Sequence, residues 1–348
     1  MRVLLTGHEG YLGTLMVPAL SSAGHDLVGL DTGFFRDCVL GPRPDPSPGL
    51  ALDLRDVTAE HLAGFDAVVH LAALSNDSVG NLEPSITFEI NVDATLQLAR
   101  VARDTGVTRF LFSSSCSIYG ASGEDDLVTE DARMQPLTPY AESKVRVEDG
   151  LHELANASFS PVYLRNATAY GWSPRLRLDL VVNDLVASGL LTGEVRVLSD
   201  GTPWRPVVHA QDVAGAFVAA LDAPRETVHD RAFNVGFSGE NHRVRDLAHI
   251  VAEALGRGRV TISGETGPDP RSYRVDFSRL ASAFPHLRQQ WDASRGAADL
   301  ASRFRTLALT NADRPRFERL RRLAELRDLG RLSPSLRWEA ARVPDPGD

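Results

Sequence analysis

Short apolar runs alternate with amphipathic stretches along the first half of the chain. A run that is rich in β-branched residues predicts a strand, and apolar positions at helical spacing predict a helix. By this pattern strands are predicted at 2–6, 25–31, 50–54, 67–71, 109–112 and 161–164. Helices are predicted at 11–23, 83–104 and 138–154. Strands that alternate with helices form parallel βαβ units, so the pattern predicts an α/β fold with a doubly wound parallel sheet.

The pattern becomes less regular after residue 165. Helices are predicted at 179–189, 211–221, 243–255 and 316–329, with short strands between them. We therefore expect a large domain over 1–165, to which a segment at roughly 205–240 returns, and a smaller lobe with C-terminal helices over 166–348. Acidic residues interleave with the arginines of 314–331, and apolar residues recur at helical spacing. This stretch is interpreted as an amphipathic helix docked on the body of the protein.

Composition and charge narrow the range of partners and compartments. The 348 residues suffice for a large domain and a smaller one, and a net charge of −9 argues against nucleic acid or an anionic membrane as partner. Two cysteines do not make a disulfide framework, which indicates the reducing cytoplasm. We expect neither a secretory leader nor a membrane span. No histidine or cysteine has the spacing of a metal site, so no metal is predicted.

A glycine-rich loop joins the first predicted strand to the first helix. The segment TGHEGYLG (6–13) places Gly7, Gly10 and Gly13 where the backbone must turn tightly and approach a diphosphate closely. Asp31 ends the second predicted strand. Its carboxylate suits the hydroxyls of the adenosine ribose and repels a 2′-phosphate, which predicts a Rossmann site for NAD rather than NADP.

Asp53 and Leu54 follow the third predicted strand. At this place an aspartate can approach the adenine amino group, with the leucine against the ring. A turn or cap aspartate is an equally good interpretation.

A tyrosine and a lysine stand four residues apart in the segment YAESK (140–144). On a helix, Tyr140 and Lys144 share one face. A free phenol has a pKa near 10, but a neighbouring cation favours the phenolate, so Tyr140 can take a proton from a substrate hydroxyl while hydride leaves for NAD. Ser115 ends a predicted parallel strand and can bind the same substrate oxygen; a cap or turn serine is the alternative.

These segments together resemble a known family. TGHEGYLG, HLAAL (70–74), SSSCSIYG (113–120) and YAESK occur with Asp31 in the order found in extended short-chain dehydrogenases/reductases of the NAD-dependent epimerase/dehydratase family, which act on nucleotide sugars. The resemblance covers at least 1–280. It implies Ser115, Tyr140 and Lys144 as catalytic residues, and a homodimer paired through two long helices. It implies cofactor contacts from Gly7, Gly10, Tyr11, Leu12, Gly13, Asp31, Asp53, Leu54, Leu71, Ala72, Ala73, Asn91, Ser113, Tyr140 and Lys144.

The resemblance also implies a nucleoside diphosphate sugar as substrate. Arg205 takes the place of the family's diphosphate-binding arginine, for which a planar guanidinium is suited. Arg271 resembles a second phosphate contact, although a surface ion pair is the alternative for either arginine. Asn183 is expected at the diphosphate or the sugar. Thr168 stands where the family pattern has an asparagine, a departure that suits a different sugar.

The two residues after Ser115 bear on the reaction. Dehydrating members carry an Asp–Glu pair there, and several decarboxylating members keep the Glu; this chain has Cys116 and Ser117. Both are candidate substrate contacts without a carboxyl group, and a small buried residue is the competing interpretation for Cys116. The remaining chemistry is 4-epimerisation, with Tyr140 as base. The alternatives are an NAD-dependent 4-ketoreductase or dehydrogenase and, from another class, a dinucleotide-sensing regulator without turnover.

Overall fold

Seven parallel strands form the large sheet of the fold. The computed structural model describes residues 1–75, 83–121, 127–256, 258–264 and 271–339. From one edge of the sheet to the other, the strands are β11 (Arg231–Val235), β7 (Ser160–Asn166), β5 (Arg109–Ser115), β4 (Ala67–His70), β1 (Arg2–Thr6), β2 (Asp26–Asp31) and β3 (Gly49–Ala51). Every neighbouring pair is parallel. The central strands are buried on both faces, as parallel strands between helical layers are. The predicted doubly wound sheet is confirmed.

Helices cover both faces of this sheet. On one face α1 (Gly13–Ser22) packs against α6 (Ala210–Asp222), and their apolar residues share a core with β1 and β5. On the other face α3 (Ala94–Asp104) packs against α4 (Pro139–Leu154). The single helix predicted over 83–104 is wrong in one respect, because a π turn at Glu89–Asp93 separates α2 (Pro84–Phe88) from α3. Such turns widen a helix locally and redirect its side chains.

The second lobe contains small sheets and a helical layer. One sheet has the order β12 (Asn241–Arg243), β10 (Trp204–His209), β8 (Thr168–Tyr170), and β13 (Arg259–Ile262) pairs with β9 (Glu194–Val197). A further pair, β14 (Arg274–Val275) with β6 (Leu127–Val128), packs against the core of the large sheet. Helices α5 (Val181–Thr192), α8 (Val244–Ala254) and α10 (Ala293–Thr306) share a separate core. The short helices are α7 (Arg225–Val228) and α9 (Ser278–Ala283).

The segment expected to return to the large domain divides between the two lobes. Strand β10 lies in the three-stranded sheet and not in the large one. Helix α6 and strand β11 do pack on or join the large sheet. The chain therefore crosses between the lobes at the end of β10, which places Arg205 in the second lobe.

The arginine-rich C-terminal stretch forms α11 (Arg319–Asp328). Leu323 and Leu326 of this helix are buried against Phe34, Leu74 and Ile90 of the large domain, which confirms a docked amphipathic helix. No helix within the described ranges is both long and apolar enough to cross a lipid bilayer.

Candidate active site

A cleft of about 500 Å³ opens at the carboxyl ends of β1, β2, β4 and β5. In doubly wound folds, ligands bind at this edge of the sheet. Most of the residues that the sequence singled out line it: Gly7, Gly10, Tyr11, Leu12, Gly13, Asp31, Asp53, Leu54, Leu71, Ala72, Ala73, Ser113, Ser115, Tyr140, Lys144, Thr168, Arg205 and Arg271. Asn91, Cys116, Ser117 and Asn183 do not line it.

The glycine-rich loop forms a cradle at one end of the cleft. Gly7 has a φ of 75°, and its N–H donates to the carbonyl of Leu30 (2.8 Å), which ties the loop to β2. Helix α1 begins at Gly13, where an added Cβ would overlap the carbonyl oxygen of Gly7. Only glycine allows this approach, which brings the N-terminus of α1, with its positive dipole end, to the cleft.

Two aspartates stand beside this cradle in different settings. The Asp31 carboxylate accepts backbone N–H bonds from Gly33 (2.8 Å) and Glu9 (3.1 Å), while burial raises its pKa. Asp53 accepts the N–H of Arg55 (2.9 Å) and forms an ion pair with the same arginine (2.7 Å). Burial alone would raise the pKa of Asp53, but the hydrogen bonds and the charge of Arg55 hold that pKa below its usual value. Asp53 thus borders the cleft and also caps the turn after β3.

The proposed catalytic side chains meet at the end of β5. Tyr140 lies in the first turn of α4, whose N-cap Thr138 accepts the N–H of Ala141 (3.2 Å). The Lys144 ammonium donates to the carbonyl of Ser113 (2.7 Å) and lies 5.5 Å from the centre of the Tyr140 ring. Burial lowers the pKa of Lys144 to about 7, although the charge of Glu148 opposes this.

Ser115 borders the cleft as the last residue of β5. Its Oγ accepts the N–H of Ser117 (3.2 Å), so it also caps the following 3-10 turn, Cys116–Tyr119. The capping role raised as an alternative therefore exists beside the cleft-lining one.

That turn carries the next two residues away from the cleft. Cys116 is fully buried, its thiol donates to the carbonyl of Arg165 (3.1 Å), and burial raises its pKa. Ser117 is buried as well. Neither residue lines the cleft, and their expected substrate contacts stay predictions; Cys116 is a small buried residue, as its alternative interpretation states.

Two asparagines act on loops of the protein rather than on the cleft. Asn91, in the π turn, accepts the N–H of Leu74 (2.8 Å) and donates to its carbonyl (3.1 Å), so it fixes the end of the loop that follows β4. Asn183 does the same for Gly171 (2.9 and 3.2 Å). Neither asparagine lines the cleft, and the cofactor contact expected of Asn91 and the substrate contact expected of Asn183 stay predictions.

The second lobe supplies the opposite wall of the cleft. Thr168 on β8 and Arg205 on β10 line it. The Arg205 guanidinium donates to the carbonyls of Trp204 (2.9 Å) and Arg271, which holds the two predicted arginines together.

Comparison with known proteins identifies the family. A profile of the NAD-dependent epimerase/dehydratase family matches residues 3–236. The chain belongs to this family. A UDP-glucose 4-epimerase of Corynebacterium glutamicum is 32% identical over 278 residues, which cover 74% of this chain and 81% of that protein.

Solved structures of family members agree with the fold. A UDP-glucose 4-epimerase of Thermus thermophilus in complex with NAD matches with a TM-score of 0.73 and 27% identity, covering 88% of this chain and 99% of that chain. DesIV, a dTDP-glucose 4,6-dehydratase of Streptomyces venezuelae with NAD bound, matches with a TM-score of 0.77 and 25% identity, covering 88% and 97%. Because an epimerase and a dehydratase match about equally well, the fold does not distinguish the reactions.

This epimerase/dehydratase family member is an NAD-dependent enzyme, and its residues fit the cofactor. The cradle at Gly13 has no room for a Cβ, as the close approach of a diphosphate requires. The Asp31 carboxylate borders the same cleft and suits ribose hydroxyls. Lys144 borders the same cleft, beside Tyr140.

Two buried polar residues that support the cleft were not predicted from the sequence as site residues. Glu148 lies one helical turn after Lys144 and is buried against Arg165, which contacts it with N–O distances of 2.6 to 3.1 Å. The position of Glu148 on the buried face of a predicted helix was the sequence signal that could have identified it. His70 bridges Thr6 (2.7 Å) and Thr95 (2.8 Å), and burial, reinforced by the charge of Lys144, lowers its pKa to about 3. The imidazole is therefore neutral and holds β1, β4 and α3 together.

Two further arginines line the cleft. Arg177 is buried and paired with Asp179 through two hydrogen bonds (2.9 and 3.1 Å). Arg319 reaches the cleft from α11. Neither stands in a motif that sequence spacing can detect.

Proposed function

We propose that this enzyme is a nucleoside diphosphate sugar 4-epimerase, with a UDP-hexose as its substrate. The observation that carries the proposal is that Ser115, Tyr140 and Lys144 line one cleft with the glycine cradle, while the two positions after Ser115 bring no carboxyl group to it. Elimination of water needs a further general acid and base at the sugar besides Tyr140, whereas reversible oxidation at C4 needs only the proton transfer by Tyr140. The relatives named UDP-glucose 4-epimerases support the choice of nucleotide and of reaction.

In the proposed mechanism, Tyr140 removes the proton of the sugar 4-hydroxyl and later returns it to the oxygen. NAD, when bound, supplies the acceptor and later the donor of a hydride. Lys144 lies beside the ring of Tyr140, and its cationic form favours the phenolate. The Ser115 hydroxyl donates to the same sugar oxygen. Between the two hydride transfers the keto sugar must present its opposite face, so the cleft has to hold the sugar loosely and the diphosphate firmly.

Arg205 and Arg271 are the proposed holders of the substrate diphosphate. They lie in the cleft wall of the second lobe, and the contact from Arg205 to the carbonyl of Arg271 keeps them adjacent. Paired guanidinium donors suit a diphosphate. Thr168 borders the same wall and is proposed to face the sugar.

A direct assay tests the reaction. The purified enzyme should interconvert UDP-glucose and UDP-galactose, resolved by chromatography, without net formation of NADH. Tyr140→Phe should lower kcat at least about a hundredfold, because it removes the general base, and should leave NAD affinity nearly intact. Tyr163→Phe is the matched control, since Tyr163 lies outside the cleft and donates to Asp230 (2.6 Å). Stoichiometric reduction of added NAD would instead establish the dehydrogenase alternative.

The homodimer and the cytoplasmic location belong to the same proposal. Helices α3 and α4 pack side by side on one face of the large sheet, where the resemblance implies that two subunits pair. Sedimentation equilibrium of the full chain tests this, and a monomer at micromolar concentration would contradict it.

A further inference from the structure

Arg319 joins the cofactor cleft from a part of the chain beyond the region that the family profile matches. It is the first residue of α11, and it is only 4% exposed. Its guanidinium lies 4.2 Å from the centre of the Phe35 ring, and Nη2 donates to the carbonyl of Arg175 (3.1 Å). These contacts fix the guanidinium at the border of the cleft.

The charge of Arg319 has no carboxylate partner among the residues that the structure describes. Its Nη1 is buried without an acceptor. Asp179 accepts the backbone N–H of Arg319 (3.4 Å), and its carboxylate is paired with Arg177. Burial lowers the pKa of Arg319 to about 10, which still leaves it charged at neutral pH. A buried cation without a counter-charge is unfavourable, and a bound anion would offset this cost.

The surroundings of Arg319 indicate which anion that is. Phe35 belongs to the loop that follows Asp31, and Arg175 donates from Nε to the carbonyl of Glu9 (3.1 Å) in the glycine-rich loop. Both neighbours therefore belong to the cofactor end of the cleft, whereas Arg205 is in the wall of the second lobe. We propose that Arg319 is a ligand of the NAD diphosphate, supplied by the C-terminal segment. The proposal holds whichever sugar reaction the site performs.

The rest of this segment is fastened over the adenosine side of the cleft. The Trp338 indole donates to the carbonyl of Thr32 (2.6 Å), in the loop after β2. Arg55, in the turn after β3, donates to the carbonyl of Ser335 (2.8 Å). Residues 319–338 thus bridge the two loops that are expected to hold the ribose and the adenine. Binding of the diphosphate by Arg319 couples cofactor retention to the docking of this segment.

Ligands with and without phosphate test the proposal. ADP-ribose carries the diphosphate of NAD, and adenosine carries none. In isothermal titration calorimetry with the full chain freed of cofactor, Arg319→Met should weaken ADP-ribose by about tenfold or more, as expected for loss of a charged hydrogen bond. Adenosine affinity should stay unchanged. Arg321→Met is the matched control on the same helix, because Arg321 is exposed and paired with Glu318 (2.7 Å).

The outcomes separate the proposal from a purely structural role. Because Arg319→Met removes a buried charge without a partner, the thermal midpoint of the cofactor-free protein should not fall. If that variant does not fold, Arg319→Lys keeps the charge but loses the planar fork, and should weaken ADP-ribose by a smaller factor. The proposal would be overturned if Arg319→Met left ADP-ribose affinity unchanged or weakened adenosine equally. It would also be overturned if, with UDP titrated as a third ligand, only the affinity for UDP fell.

Discussion

Replacement of Glu148 by glutamine tests the buried ion pair that supports the candidate catalytic residues. Glu148 and Arg165 are each about 5% exposed, and three N–O contacts of 2.6 to 3.1 Å join them. Ser114 also donates to Glu148 (2.5 Å). Glu148→Gln keeps the size of the side chain but leaves the Arg165 cation uncompensated, which costs about 3–5 kcal/mol in buried pairs. Urea unfolding followed by circular dichroism should show a loss of that order.

A matched control lies on the same helix. Glu142 pairs with Arg146 (2.5 Å), but both side chains are about half exposed. Glu142→Gln should therefore change the free energy of unfolding by no more than about 0.5 kcal/mol. The double variant Glu148→Met with Arg165→Met should be more stable than Glu148→Gln, because it leaves no buried charge behind. A Glu148→Gln protein as stable as the wild type would refute the assignment of a tightly coupled buried pair.

Three further predictions concern the cofactor cleft. Gly13→Ala forces a Cβ against the Gly7 carbonyl and should lower NAD affinity at least about tenfold in calorimetry. Gly239→Ala is the control, because open space surrounds Gly239, and it should leave NAD affinity unchanged. Equal NAD affinities of the two variants would contradict the cradle. Lys144 has a pKa near 7 when folded and about 10.4 when unfolded, so the unfolded state binds more protons between these values. The cofactor-free wild type should therefore gain stability relative to Lys144→Met as pH rises from 7 to 10, and a flat difference in urea unfolding would count against the burial. Asp31→Ser should narrow the preference for NAD over NADP, since it removes the carboxylate that repels a 2′-phosphate; an unchanged ratio of dissociation constants would exclude that role.

The pattern of hydrophobic and polar residues was enough to predict the large sheet, because each strand and helix carries its own periodic signal. The interruption of the helix over 83–104 was not predictable, since the π turn at Glu89–Asp93 depends on Asn91 reaching the loop after β4. Helix α10 was missed because it has no motif, although Asp292 caps it by accepting the N–H of Arg295 (2.7 Å). Tertiary contacts decide such elements more than propensity does.

Most of the residues that were predicted from a residue type together with a spacing line the cleft. The glycine cradle, Asp31, Tyr140 and Lys144 all reached the cleft. Being next to Ser115 in the sequence does not bring Cys116 to the cleft, because the 3-10 turn that this serine caps directs Cys116 into the core. Contacts between residues that are far apart in the chain were not predicted either. Nothing in the order of residues says that a C-terminal helix returns to the cofactor.

Four buried cations of this protein differ in what compensates them. Arg165 is paired with a carboxylate, and Arg109 donates to the carbonyls of Leu221 and Ala223 at the end of α6, where the helix dipole favours positive charge. Lys144 and Arg319 have only a single carbonyl acceptor each among their described hydrogen bonds, and both line the cleft. In the folded protein without ligand, these few contacts offset little of the desolvation cost of the two charges. We propose that this compensation comes from the phenolate of Tyr140 for the lysine and from the bound cofactor diphosphate for the arginine.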